Sequence, residues 1–155
     1  MQYLIDTGVL LRLFDRTDPN HVDIHLALQS LRQRSHTLAV STQNIAEFWN
    51  VSTRPRSARG GYGQTVLTTE RRVQFFERFG LVHQENTAVY SVWRKLLVDY
   101  AIQGLAVHDA RLVAMMKSLG IVHIVTLNKK DFARYPDIVA LLPSDIITAS
   151  SEQSS

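Results

Sequence analysis

The chain has 155 residues, 45% of them apolar and 20% charged, the composition of a single globular domain long enough to bury a substantial core. It contains no cysteine, which excludes disulfides and thiolate zinc sites and fits a reducing compartment. Its formal charge is +3, from 17 basic and 14 acidic residues. No apolar run approaches the ~20 residues that a membrane span needs. The residues after Met1 show no basic region, long apolar core or cleavage pattern, so no secretion signal is expected and the chain is assigned to the cytoplasm.

Gln2-Tyr3-Leu4-Ile5 runs without a break into Asp6-Thr7. A short, continuously apolar run of this kind reads as a strand buried on both faces, as in parallel sheets. Residues 9–14 are apolar enough for a helical turn or two. Asp18-Pro19 has the pattern of an N-cap followed by proline at the first helical position. Ile24, Ala27, Leu28 and Leu31 then form one stripe of an amphipathic helix. Residues 37–40 predict a second strand, with Ser41 capping a helix from about Gln43. That helix turns Ile45, Phe48 and Trp49 toward a core and sets Gln43, Glu47 and Asn50 on another face. Residues 53–64 hold Arg54, Arg56, Arg59, Tyr62, a proline and three glycines, and predict a mobile loop. Residues 69–79 predict a helix ending at Gly80, and 81–83 a third strand. Thr87 is expected to cap a helix whose stripe runs from Val89 to Tyr100, with Gly104 as its C-terminal glycine. His108-Asp109-Ala110 opens the next helix, which Gly120 ends. Residues 121–126 predict a buried strand, 139–142 an edge strand closed by Pro143, and residues 150–155 a disordered end. Alternating strands and helices argue for an α/β fold with a parallel sheet.

Asp6 and Asp131 follow the two most strand-like runs, and Glu47 and Asp109 stand early in helices. In a doubly wound sheet these four places share the edge where ligands bind. Carboxylates gathered there suit a hard cation such as Mg2+ or Mn2+, which lowers the pKa of a bound water and stabilises charge on a phosphate. Each acid also has a plainer reading: Asp6 as a helix cap, Glu47 as a solvated residue favoured by a helix dipole. Setting four of the 14 acids in one site leaves 17 basic against 10 acidic residues elsewhere, an acidic pocket on a basic body that suits a polyanion. The arginines and Tyr62 of the 53–64 loop can grip phosphates and stack on a base, or simply be solvated.

The runs Tyr3-Leu4-Ile5-Asp6-Thr7, Ala46-Glu47-Phe48-Trp49, Val107-His108-Asp109-Ala110-Arg111 and Thr126-Leu127-Asn128-Lys129-Lys130-Asp131-Phe132 resemble, in order and spacing, the motifs of PIN domains. More closely, they are similar to the VapC toxin ribonucleases of type II toxin–antitoxin modules. The resemblance spans roughly residues 2–142. It implies a Rossmann-like domain over residues 1–145, followed by a disordered tail at 146–155. It also implies Mg2+- or Mn2+-dependent endoribonuclease activity on RNA, a VapB-type antitoxin partner and a homodimer. Carried onto this sequence, Asp6 and Asp109 are the principal metal ligands. Glu47 binds metal or orients water, and Asp131 is the fourth acid, a role for which Asn128 competes. Thr7 is an auxiliary hydroxyl. Gly8 departs from the family, which most often has Asn there.

Other classes fit less well. A haloacid-dehalogenase-type phosphatase needs a second aspartate where Gly8 stands, and Gly60-Gly61-Tyr62-Gly63 lacks the context of a phosphate-binding loop. His21 and His25 lack a third metal ligand. The alternative from a different class is a PIN-like module that binds RNA with little or no catalysis.

Overall fold

The computed structural model describes residues 1–152, with side chains through residue 150. Five strands form one sheet: β1 (Gln2–Ile5), β2 (Thr37–Ser41), β3 (Leu81–His83), β4 (His123–Val125) and β5 (Val139–Leu141). Their order is β3-β2-β1-β4-β5, and every neighbouring pair is parallel. β1, with Tyr3, Leu4 and Ile5 buried, therefore lies at the centre, where Tyr3 pairs with Leu38 on one side and His123 on the other. From β1 the chain builds outward through β2 and β3, then returns to add β4 and β5 on the far side. That reversal places the switch point beside the carboxyl end of β1.

Among the described residues the seven helices are α1 (Thr7–Arg12), α2 (His21–Gln33), α3 (Thr42–Thr53), α4 (Val66–Phe79), α5 (Val89–Asp99), α6 (Ala106–Leu119) and α7 (Pro143–Glu152). The two-residue period of β1 sends Tyr3 and Ile5 into one core and Leu4 into another. The first core takes side chains of α1, α2, α3, α4 and α7, including the predicted stripe Ile24, Ala27, Leu28 and Leu31. The second is built from α5 and α6. Each fully buried Leu or Ile contributes about 1.5–3 kcal/mol, so these two faces hold the sheet edge in place. Among the described residues no helix is long and apolar enough to cross a membrane.

Several boundaries differ from the sequence reading. The cap of α5 is Ala88 rather than Thr87, and the turn before it is closed by Asn86, whose side chain accepts from the Ala88 N–H at 3.0 Å. Gly104 does not end α5: that helix stops at Asp99, Ala101 takes the left-handed conformation at φ 48°, and Gly104 lies just before α6 at φ 58°. β4 is confined to His123–Val125, because residues 121 and 122 complete the turn after Gly120. The expected tail at 146–155 is corrected for the part described. Pro143 opens α7 rather than merely closing β5, Ile146 is buried in the first core and Ile147 packs against it. The hydroxyl of Ser150 lies 2.6 Å from that of Ser30 on α2. The remainder of that tail, residues 153–155, lies outside the described residues.

Candidate active site

Asp6 ends β1 in extended backbone (φ −68°, ψ 151°) and caps α1, its Oδ1 accepting from the Thr7 N–H at 2.8 Å. The capping reading of this residue is therefore right, and it uses only one of the two oxygens. Oδ2 accepts from the hydroxyl of Thr126 at 2.7 Å. Thr126 is fully buried just beyond β4, the neighbouring strand, and its oxygen in turn accepts from the Asn128 N–H at 3.1 Å. The central carboxylate is thus fixed from both sides of the switch point.

Glu47 reaches the same place from α3. Ser41 and Asn44 form a reciprocal capping box that starts this helix at the end of β2. Asn44, itself buried, donates through Nδ2 to the Thr7 hydroxyl at 3.1 Å, and Thr7 donates to Glu47 Oε2 at 2.7 Å. The other oxygen of Glu47 accepts from Gln43 Nε2 at 3.0 Å. The same amide nitrogen donates to the carbonyl of His108 on α6 at 2.9 Å. Because both of those partners are acceptors, the amide orientation follows from the network. The Gln43 carbonyl oxygen is left buried without a protein partner. A single chain of hydrogen bonds therefore runs from β4 through Asp6, Thr7, Glu47 and Gln43 to α6.

Asp109 lies in the first turn of α6, one residue beyond that anchor, and Asp131 in the short 3-10 turn Lys129–Phe132. Burial raises the pKa of Asp109 to about 6, with Asp131, Asp6 and Glu47 each adding to the rise and Arg134 opposing it. Asp6 is also raised, first by burial. The hydrogen bonds from Thr126 and Thr7 pull it back, and the charges of Glu47 and Asp131 push it further up. Glu47 and Asp131 thus both act on Asp6 and on Asp109. Among the described residues no three of the acidic or imidazole groups are placed to hold a metal ion together. Of the two candidates for the fourth position, Asp131 is the one whose charge reaches Asp6 and Asp109. Asn128 has an exposed side chain and takes part through its backbone.

Thr126, Asn44 and Arg134 escaped the sequence reading. The Ser41-to-Asn44 spacing is that of a capping box and could have drawn attention to Asn44. Nothing in the pattern singles out Arg134. Gly8 has room for a side chain, since a Cβ there would meet only Arg12 Nη1 at 3.5 Å. His21 and His25 hold the carbonyls of Arg12 and Leu13 at 2.9 and 3.0 Å, so these rings fasten the end of α1.

The 53–64 segment, expected to be mobile, is a loop closed on itself. The N–H groups of Tyr62 and Gln64 donate to the Val51 and Ser52 carbonyls at the end of α3, and Gly63 donates to Arg54. Glycine is required at 61, where a Cβ would stand 2.2 Å from the Pro55 carbonyl oxygen. Arg54 donates to the Arg59 carbonyl at 2.6 Å, so it braces the loop. Arg56 and Tyr62 face a separate cleft with Arg16 and Arg72.

Residues 3–138 match the family model of the PIN domain. No curated protein matches the chain in sequence. Solved structures of the same fold include VapBC-1 of nontypeable Haemophilus influenzae, 19% identical, covering 93% of this chain and 99% of that one with a TM-score of 0.66. VapBC2 from Rickettsia felis, bound to a DNA fragment from their promoter, is 16% identical, covers 92% and 98%, and has a TM-score of 0.65. VapC20 of Mycobacterium tuberculosis, a Sarcin-Ricin loop cleaving toxin, is 16% identical, covers 86% and 95%, and has a TM-score of 0.63. At these identities the likeness is one of fold.

Proposed function

The chain belongs to the PIN domain family, and from that premise we propose that it is a Mg2+- or Mn2+-dependent endoribonuclease acting as the toxin of a type II toxin–antitoxin pair. The observation that carries this reading is the hydrogen-bonded chain from Thr126 through Asp6, Thr7, Glu47 and Gln43 to the His108 carbonyl, which sets two carboxylates beside the start of α6, where Asp109 lies. The structural likeness to VapBC assemblies and to a toxin that cleaves the Sarcin-Ricin loop supports it. On the same footing the partners are RNA, a VapB-type antitoxin and a second copy of the chain, in the cytoplasm.

The donor set fits the metal. Every candidate ligand is a carboxylate oxygen, the chemistry that hard divalent cations take. Mg2+ commonly uses one or two carboxylates and keeps several waters, so it does not require three converging protein ligands. Asp6 and Asp109 would hold the cation, with Asp131 as the more distant fourth acid. When bound, the cation lowers the pKa of a water and stabilises negative charge on a phosphate oxygen. The chain's own groups supply position. Thr126 and the Thr7 N–H stop Asp6 from rotating, and Thr7 with Gln43 fixes Glu47 where it can orient a water for attack on phosphorus.

The test is incubation of the purified protein with total RNA, in Mg2+ or in EDTA, with mapping of new ends. Supporting groups around metals typically cost 10–100-fold when lost, so Asp6→Asn and Asp109→Asn should each cost more than about a hundredfold. Full activity in either folded variant would end the assignment. Binding of RNA with no metal-dependent ends would return the chain to a binding module.

A further inference from the structure

The cleft between the end of α1, the 54–64 loop and α4 encloses about 540 Å3 and lies outside the four-acid edge. Arg16, Arg56 and Arg72 line it, together with the rings of Phe14 and Tyr62. None of the three guanidinium groups forms an ion pair among the described residues, whereas the adjacent Arg12 is held by Asp18 at 3.0 Å. The one carboxylate in the cleft, Asp15, is satisfied by neutral donors. Thr17 gives it both its N–H and its hydroxyl, at 3.1 and 2.6 Å, and Tyr62 also favours its charged form. Three positive charges thus face one negative charge that is already solvated by the protein.

The groups are also pre-set. Arg72 is half-buried with its guanidinium 4.9 Å above the Phe14 ring, which fixes its plane and leaves its edge N–H groups available. Burial lowers its pKa and Asp15 only partly offsets that, so the charge lacks a full counterion. Arg56 gives its Nε–H to the Tyr62 carbonyl at 3.3 Å and keeps its two terminal nitrogens. Both Arg56 and Tyr62 ride on the glycine-closed loop, so little order has to be created on binding.

We propose that this cleft is a second RNA subsite, in which Arg16, Arg56 and Arg72 clamp a backbone phosphate and the Phe14 and Tyr62 rings receive an unstacked base of single-stranded substrate. Guanidinium forks match phosphate oxygens, and an aromatic wall beside them is what single-stranded RNA recognition uses. An acidic peptide would need the charges but not the rings. The proposal deepens the ribonuclease reading and rests on it for the identity of the polyanion.

The experiment measures binding of a labelled single-stranded oligoribonucleotide to the full chain in EDTA over a salt series, for wild type and for Arg16→Ala plus Arg56→Ala. Both arginines are exposed, so the melting temperature of the variant should not move. Each phosphate contact on a single strand contributes roughly 0.7 to the log–log salt slope, so loss of the one clamped phosphate should lower the slope by about 0.7 and weaken binding on the order of tenfold at low salt. Cleavage of a dinucleotide, which spans only the acidic edge, should be unchanged, while a longer substrate should show a raised KM. An unchanged slope, or an unchanged KM on the long substrate, overturns the subsite. So does a variant that keeps RNA affinity but loses a glutamate-rich peptide, which would mark the cleft as a peptide site. Absence of cleavage by wild type in Mg2+ would instead remove the ribonuclease reading, and the salt slopes in EDTA would still decide the subsite.

Discussion

Among the described residues, no hydrogen bond reaches the Asp109 carboxylate, while Asp6 receives two. Burial and like charges raise Asp109 to about 6; Asp6 is raised as well, with the hydrogen bonds from Thr126 and Thr7 pulling the other way. The consequence for stability has a definite sign. A carboxyl group whose pKa is raised by folding binds its proton more tightly in the native state. Between the ordinary 3.8 and about 6 the native chain therefore carries more proton than the unfolded one, and stability falls as pH rises through that window. Above it the full cost is present. Asp109→Asn removes the charge without removing a protein hydrogen bond. Without divalent cations it should melt above wild type at pH 7.5, with each kcal/mol of relief worth roughly 2–4 °C. The gap should close toward pH 4. Melts of both proteins in EDTA across this range provide the check. A variant that melts at or below wild type at pH 7.5, or a gap that ignores pH, would show that position 109 is not in a crowded acidic group.

At the scale of elements, the site is a junction: β1 supplies Asp6, α3 Glu47, α6 Asp109, and the 3-10 turn after β4 Asp131. Gln43 is the only side chain among the described residues that hydrogen-bonds both Glu47 and α6. Gln43→Ala should therefore loosen α3 against α6. The expected cost is about 1 kcal/mol of stability, with turnover reduced 10–100-fold and KM little changed. Turnover equal to wild type would reduce Gln43 to a surface contact. Much of this junction was legible in the sequence, because it depends on strand ends and helix starts. The apolar run before Asp6, the Ser41 cap before Glu47 and the early helical place of Asp109 each announce themselves. What stayed hidden depends on neighbours that only the sheet order supplies. Thr126 matters because β4 lies beside β1, and Asn44 because Thr7 lies opposite it. The 54–64 loop shows another limit: glycines and a proline suggest mobility, but here Gly61 permits a tight approach that closes the loop. Likewise the serine-rich composition near the chain end masked Ile146 and Ile147, which dock α7 onto the first core.

Across the whole molecule, the four-acid edge draws on both layers of helices. Glu47 belongs to the layer around the first core and Asp109 to the layer around the second, with Asp6 on the central strand between them. No local unfolding event separates these groups without parting the sheet from one of its helical layers. A cation bound to them should accordingly stabilise the entire domain rather than one loop. The surrounding charge is opposite, 17 basic against 10 acidic residues once the four are set aside from the total of 14. A polyanion would thus be attracted to the body and repelled at the edge unless a cation neutralised it. Binding linkage contributes about 2.7 kcal/mol at a hundredfold excess over the dissociation constant. For a chain of this size that corresponds to a rise in melting temperature of roughly 5–11 °C. Mn2+ should produce this rise in wild type and much less in Asp6→Asn, and an equal ionic strength of NaCl should not reproduce it. The comparison is of the shift within each protein, so any effect of the substitution on the metal-free fold cancels. A wild-type shift that NaCl matches, or one that survives intact in Asp6→Asn, would mean that the acids at the centre of the sheet do not hold the cation.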